Sequence, residues 1–99
     1  MERSVSGTLE SSDIMITIEP NTEDKISIDL DSSVEKQFGD SIRETMKATL
    51  AKFNINNARI FAKDKGALEC IIIARLKAAI YNSVSVENRN NEGFKVWLN

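Results

Sequence analysis

Between Ile14 and Asp31 the chain alternates apolar and polar side chains, and after Ser32 the apolar spacing lengthens to three or four. Ile14, Ile16 and Ile18 alternate with Met15, Thr17 and Glu19, the period of a strand buried on one face. Pro20 and Asn21 punctuate a turn, after which Ile26, Ile28 and Leu30 alternate with Ser27 and Asp29. This second strand is expected to run antiparallel to the first across the short loop between them. Upstream, "SVSGTLE" reads as a further strand, with Glu10-Ser11-Ser12-Asp13 as the turn that joins it to Ile14. Short polar side chains suit such a turn because they hydrogen-bond nearby backbone. That places Ser11 at an exposed hairpin tip.

From Val34 the period is helical. Val34, Phe38, Ile42, Met46, Leu50 and Phe53 form one apolar stripe. Ser32 with Glu35, and Ser41 with Glu44, both have capping-box spacing. Gly39 costs a helix about 1 kcal/mol relative to alanine, so the helix is expected to start near Asp40 after a separate turn. The asparagines of "NINNARIFAK" end it, and "ARIFAK" reads as a strand. A second amphipathic helix follows through Ala67, Leu68, Ile71, Ile72, Leu76, Ala79 and Ile80, with Asp64 as its expected cap. The order of hairpin, helix, strand, helix predicts an α+β fold, a small mixed or antiparallel β-sheet covered on one face by two α-helices. Residues 1–82 are read as the domain. Residues 83–99 are read as a polar tail that ends apolar in Phe94, Val96, Trp97 and Leu98.

Composition narrows the chemistry. With 99 residues the chain suffices for one small domain, and 13 basic against 15 acidic residues leave a net charge of −2. Basic residues are scattered and aromatics sparse, so no nucleic-acid partner is expected. There is no histidine, which excludes a Ser-His-Asp or Cys-His pair and any histidine-containing metal site. No dinucleotide fingerprint, P-loop, nucleophile elbow or EF-hand loop occurs. Asp24, Asp29 and Asp31 are read as solvated acids rather than cation ligands, so no metal is expected. The single cysteine, Cys70, cannot form an internal disulfide, which suits a cytoplasmic location. Its place beside the helical stripe predicts a buried structural thiol. No membrane partner is expected, because the longest apolar run, "CIIIA", falls far short of a span. Composition and spacing alone leave Ser11 and Ser12 as ordinary turn serines. No internal base activates them, but a serine at an exposed tip is also a point that a separate enzyme can modify.

The segments "GTLESSDIMI", "SSVEKQFGD", "DKGALEC" and "ARLKAAI" occur in order from Gly7 to about Tyr81. Together they resemble the acyl carrier (gamma) subunit of bacterial citrate lyase. The resemblance implies a non-catalytic carrier in a multi-subunit lyase. It makes Ser11, the serine of "GTLES", the attachment point for 2′-(5″-phosphoribosyl)-3′-dephospho-coenzyme A through a phosphodiester. It implies as partners a prosthetic-group transferase, an alpha subunit that exchanges bound acetyl for citrate, and a beta subunit that cleaves the citryl thioester to oxaloacetate. The thiol that ends the arm, rather than Cys70, then carries the acyl group. In the family motif the modified serine is often followed by glycine, whereas here Ser12 follows, which leaves Ser12 as a rival site and the turn geometry open.

Two other functions compete with this one. A carrier of a malonate decarboxylase-like complex would use a similar group. An unmodified interaction module would dock a partner through its apolar tail. The side of "EKQFG" around Phe38 and the C-terminal tail are candidate partner surfaces, unless both simply finish the core. Glu10 and Asp13 are read as keeping the turn solvated rather than as docking a transferase.

Overall fold

The structure is a computed structural model that describes residues 1–84; of the expected tail, Ser83 ends a helix and Val84 follows it, and the remainder, with Phe94, Val96, Trp97 and Leu98, lies outside the described residues. The elements are β1 (Ser4–Ser6), β2 (Ile14–Glu19), β3 (Ile26–Ser32), α1 (Glu35–Lys52), β4 (Ala58–Asp64) and α2 (Glu69–Ser83). The sheet order is β1-β2-β4-β3. Strands β1 and β2 pair antiparallel, β2 and β4 pair antiparallel, and β3 pairs parallel with β4. This is the expected α+β sheet with two helices, but not the expected β2–β3 hairpin. β4 inserts between them. The alternation in β2 and β3 fixes which side chains face inward, and it is equally compatible with either strand as neighbour.

β4 wins the central place because it presents a full inward row. Ala58, Ile60, Ala62 and Asp64 are all buried, and Ile18 lies opposite Ile60 while Ile28 flanks it on the parallel side. The edge strand β3 contributes only partly buried Ile26, Ile28 and Leu30. Helix α2 packs on β1 and β2, α1 packs on β3, and the helices contact each other. Ile42, Met46 and Leu50 from α1 and Ile72, Leu76 and Ile80 from α2 close one core with the inward faces of β2 and β4.

Three local expectations are corrected. Helix α1 begins at Glu35 rather than near Asp40 and runs straight through Gly39, which is buried. The pair Glu35–Arg43, with Arg43 Nη1 donating to Glu35 Oε2 at 3.1 Å, crosses the space that a side chain at Gly39 would fill. Neither capping box forms. Val34 is the N-cap without a side-chain hydrogen bond, Ser32 Oγ accepts from the Val34 amide, and Ser41 lies inside α1. Asp64 does not cap α2, whose N-cap is Leu68. Instead Asp64 ends β4, accepting from Ser32 Oγ at 2.8 Å and from the Ala67 amide at 2.9 Å. The asparagine stop at the end of α1 holds. Asn54 takes a left-handed φ of 58°, and the Asn54 and Ile55 amides return to the carbonyls of Ala51 and Leu50.

Candidate functional site

The topology brings three connections to one end of the sheet. The parallel strands β3 and β4 finish there, β2 begins there, and Ile14, Asp64 and Ser32 lie in register across it. The loop Gly7–Asp13, the β3–α1 turn and the β4–α2 connection at Lys65–Leu68 therefore meet. The end of an α/β sheet where parallel strands finish commonly presents the working loops.

The expected strand "SVSGTLE" is shorter in fact. β1 stops at Ser6, and Gly7 turns the chain with φ of 91°. A Cβ on Gly7 would lie 1.8 Å from the Ile14 carbonyl oxygen, so the root of the loop has room for glycine only. The Asp13 amide donates to the Glu10 carbonyl at 3.1 Å, closing the expected turn over Glu10–Asp13. Ser12, third in that turn, has φ of 65°. This is the position that glycine would occupy at no steric cost. Ser12→Gly is accordingly expected to stabilise the domain by about 0.5–1 kcal/mol, read as a rise of a few degrees in Tm.

The loop is fastened on both sides of Ser11. The Ser12 amide donates to the Lys65 carbonyl at 2.8 Å, and the Lys65 amide donates to the Asp13 carbonyl at 2.9 Å. Asp13 Oδ1 accepts from its neighbour Ile14's amide at 2.7 Å and from Arg75 Nε at 3.0 Å. Asp13 Oδ2 accepts from Arg75 Nη2 at 2.8 Å and from Thr8 Oγ1 at 2.6 Å. Thr8 Oγ1 in turn accepts from the Glu10 amide. Asp13 is thus a clamp between the loop and α2, and not the solvated acid expected from sequence. Ser11 is exposed, and its hydroxyl makes no hydrogen bond among the described residues. An accessible, unbonded hydroxyl on a fastened loop fits a covalently attached group.

The Arg75 guanidinium, then the Thr8 hydroxyl and the Ile14 amide, hold the Asp13 carboxyl well below the usual 3.8; Asp13 in turn raises Arg75. A depressed carboxyl means that the unfolded chain binds the proton first as pH falls. The clamp's contribution is complete above the ordinary carboxylate range and is lost progressively below about pH 4. The difference in stability between the wild type and Arg75→Ala is therefore expected to stay level from neutral pH to about pH 5 and to shrink below pH 4. Denaturant titrations across that range check it.

Arg75, Thr8 and Lys65 were not singled out from sequence. Nothing local marks an arginine as the partner of an acid 62 residues away. Cys70 is exposed, against expectation, because the buried side of α2 is formed by Ile72, Leu76, Ala79, Ile80 and Ser83. Phe38 leaves the α1 stripe and is 53% exposed, and with Leu68, 70% exposed, it lines a groove of about 360 Å³. Asp24, Asp29 and Asp31 are exposed, and no metal-holding cluster of histidine, cysteine or acidic groups occurs among the described residues. No helix among the described residues is long and apolar enough to cross a membrane.

Residues 1–83 match the family model described as malonate decarboxylase delta subunit (MdcD). The citrate lyase acyl carrier protein of Streptococcus equi subsp. equi is 52% identical over 93 residues, which span 94% of this chain and 91% of the relative. The chain belongs to the citrate lyase acyl carrier protein family. The family's carrier from Streptococcus pyogenes serotype M18 is 46% identical over 96 residues, covering 97% of this chain and 94% of the relative. In fold, this family member resembles a chain in the crystal structure of a Pseudomonas malonate decarboxylase hetero-tetramer in complex with malonate. That likeness has a TM-score of 0.72 at 20% identity and covers 84% of each chain. The α+β architecture is thus shared with a chain of a malonate decarboxylase assembly.

Proposed function

We propose that this chain is the acyl carrier subunit of a citrate lyase complex, acting without catalytic groups of its own, with Ser11 as the residue that carries the prosthetic group. The observation that carries the reading is the Ser11 hydroxyl, exposed and unbonded at the tip of a turn anchored by Lys65 and Arg75. The Ser12 hydroxyl is equally exposed and unbonded among the described residues, and Ser11 is preferred because it is the serine of "GTLES". The group is the phosphoribosyl-dephospho-coenzyme A unit, joined by a phosphodiester. When bound, it supplies a thiol whose acyl thioester stabilises the enolate formed on carbon–carbon cleavage, which a free carboxylate does not.

The chain's own residues present and orient. Gly7 and the Glu10–Asp13 turn expose Ser11, the Asp13–Arg75 pair fixes the loop against α2, and the sheet behind gives it a rigid base. The Asp13 carboxylate already accepts four hydrogen bonds and is not free to act as a base. Attachment therefore falls to a separate transferase. A tether converts each hand-over between the alpha and beta subunits into an intramolecular step, at an effective concentration in the millimolar range. The carrier unit is read as residues 1–82 with 83–99 as a tail, although α2 carries the folded unit one residue further, to the buried Ser83.

The test is intact-mass analysis of protein co-expressed with its prosthetic-group transferase, followed by peptide mapping of residues 4–25. A phosphodiester adduct on Ser11 is expected. An adduct on Ser12 moves the site, and an unmodified chain beside an active transferase overturns the carrier reading. A malonate decarboxylase-like role is the second reading, favoured by the fold likeness and the family model. Acyl exchange with citrate but not malonate excludes it.

A further inference from the structure

The two residues that fasten the Ser11 turn are both cations, and their charges are in different states. Arg75 gives Nε and Nη2 to the Asp13 carboxylate, so its charge is already paired. Lys65 fastens the turn through its backbone alone, and its exposed ammonium has no hydrogen bond or ion pair among the described residues. The acids on either side of it are engaged elsewhere. Asp13 accepts four hydrogen bonds, and the buried Asp64 accepts from Ser32 Oγ and the Ala67 amide. Lys63, two residues earlier, lies in register beside Asp31 on β3. Lys65 stands beyond the last β3–β4 pair, Ser32 with Asp64, where β3 offers no acid.

The backbone bounds the distance between that ammonium and Ser11. The Ser12 amide donates to the Lys65 carbonyl at 2.8 Å, the Lys65 amide donates to the Asp13 carbonyl at 2.9 Å, and Ser12 is left-handed. Two residues of the loop, Ser12 and Asp13, thus oppose the single residue Lys65, the pattern of a β-bulge. Through the first of these bonds the α-carbons of Ser11 and Lys65 lie within about 8 Å of each other. A lysine stem extends about 6 Å from its α-carbon, and a phosphorus on a serine oxygen stands about 3–4 Å from its own. The two reaches overlap without any movement of the backbone.

We propose that the Lys65 ammonium pairs with the phosphodiester on Ser11, an inference that rests on Ser11 being the attachment residue. A diester keeps one negative charge at neutral pH, and on Ser11 that charge is introduced next to the Glu10 carboxylate. Of the turn's two cationic fasteners, Lys65 is the one without a carboxylate partner among the described residues. A compact ammonium with three donors on a flexible stem can follow the diester oxygens, whereas the fork of Arg75 is taken by Asp13. The pairing holds only the root of the group against the β4–α2 connection. Everything beyond the phosphate stays free to travel, so Lys65 is a positioning residue with no part in acyl chemistry. Both groups are exposed, which makes the contact weak and sensitive to salt.

The experiment compares the unloaded carrier with carrier loaded to completion, intact mass and peptide mapping having first established the adduct on Ser11. Both forms are treated with acetic anhydride, and the rate of acetylation at each lysine is read from the mapped peptides. Loading is expected to slow Lys65 about two- to fivefold, the range of a surface ion pair, and to leave Lys63 unchanged. At about 1 M salt the difference at Lys65 is expected to vanish, because screening removes a charge pair and not steric cover. The phosphorus NMR resonance of the diester is the second readout. It is expected to move in loaded Lys65→Gln and to return toward the wild-type position in loaded Lys65→Arg. A Lys65 rate indifferent to loading, a slowing that survives high salt, or a phosphorus resonance indifferent to Lys65→Gln overturns the pairing alone. A chain without the adduct on Ser11 overturns the attachment reading and the pairing with it.

Discussion

Ser11→Ala is expected to abolish the adduct and all citrate-dependent turnover of the reconstituted complex while leaving the fold unchanged. The side chain is exposed and its hydroxyl bonds to nothing among the described residues, so its removal strands no partner. Substitutions at such positions typically change stability by less than about 0.5 kcal/mol. Ser12→Ala is the control. It keeps the backbone bond to Lys65 and the adjacent hydroxyl of Ser11, so both adduct and turnover should survive. Intact mass reports the adduct, a coupled oxaloacetate assay the turnover, and thermal unfolding the fold. Turnover retained in Ser11→Ala, or lost in Ser12→Ala alone, rules out Ser11 as the carrier residue.

Gly7→Ala is expected to damage the same loop from its root, and far more severely than Gly66→Ala. Both glycines have left-handed backbones, with φ of 91° and 87°. At Gly66 a Cβ meets nothing within 4 Å, so the cost is the backbone strain alone, about 1 kcal/mol. At Gly7 the new carbon would stand 1.8 Å from the oxygen of Ile14, a fully buried residue paired with Asp64. Either the loop or the start of β2 must move. Strain and overpacking together are worth about 2–4 kcal/mol, or on the order of 10–20 °C in Tm for a domain of this size. Equal losses at the two positions in thermal unfolding would show that Ile14 does not constrain the loop.

Much of the framework was legible from residue pattern. Alternation in "IMITIE" identified β2, "ARIFAK" read as the strand that is β4, and the helical stripes identified α1 and α2. The pairing was not legible, since a period of two states which side chains face inward and not which strand lies alongside. Gly39 pointed to a late helix start because propensity is local, whereas the Glu35–Arg43 bridge that spans it needs the helix already formed. The turn at Glu10–Asp13 was readable from its polar residues and its missing glycine. The fasteners were not. Lys65 contributes only backbone, and Arg75 reaches Asp13 from the far end of the chain.

Among the described residues, β4 is the last strand to be synthesised, and it lies second in from the β3 edge of the sheet. Until it emerges, β2 has only β1 beside it, β3 has no partner strand, and the Ser12 amide lacks the carbonyl that holds it. The Gly7–Asp13 loop thus takes its shape only after a long-range closure, which is the slow class of step in folding. On the proposed attachment at Ser11, a transferase that reads the fastened turn would meet it only on chains in which β4 has paired and Lys65 holds the Ser12 amide.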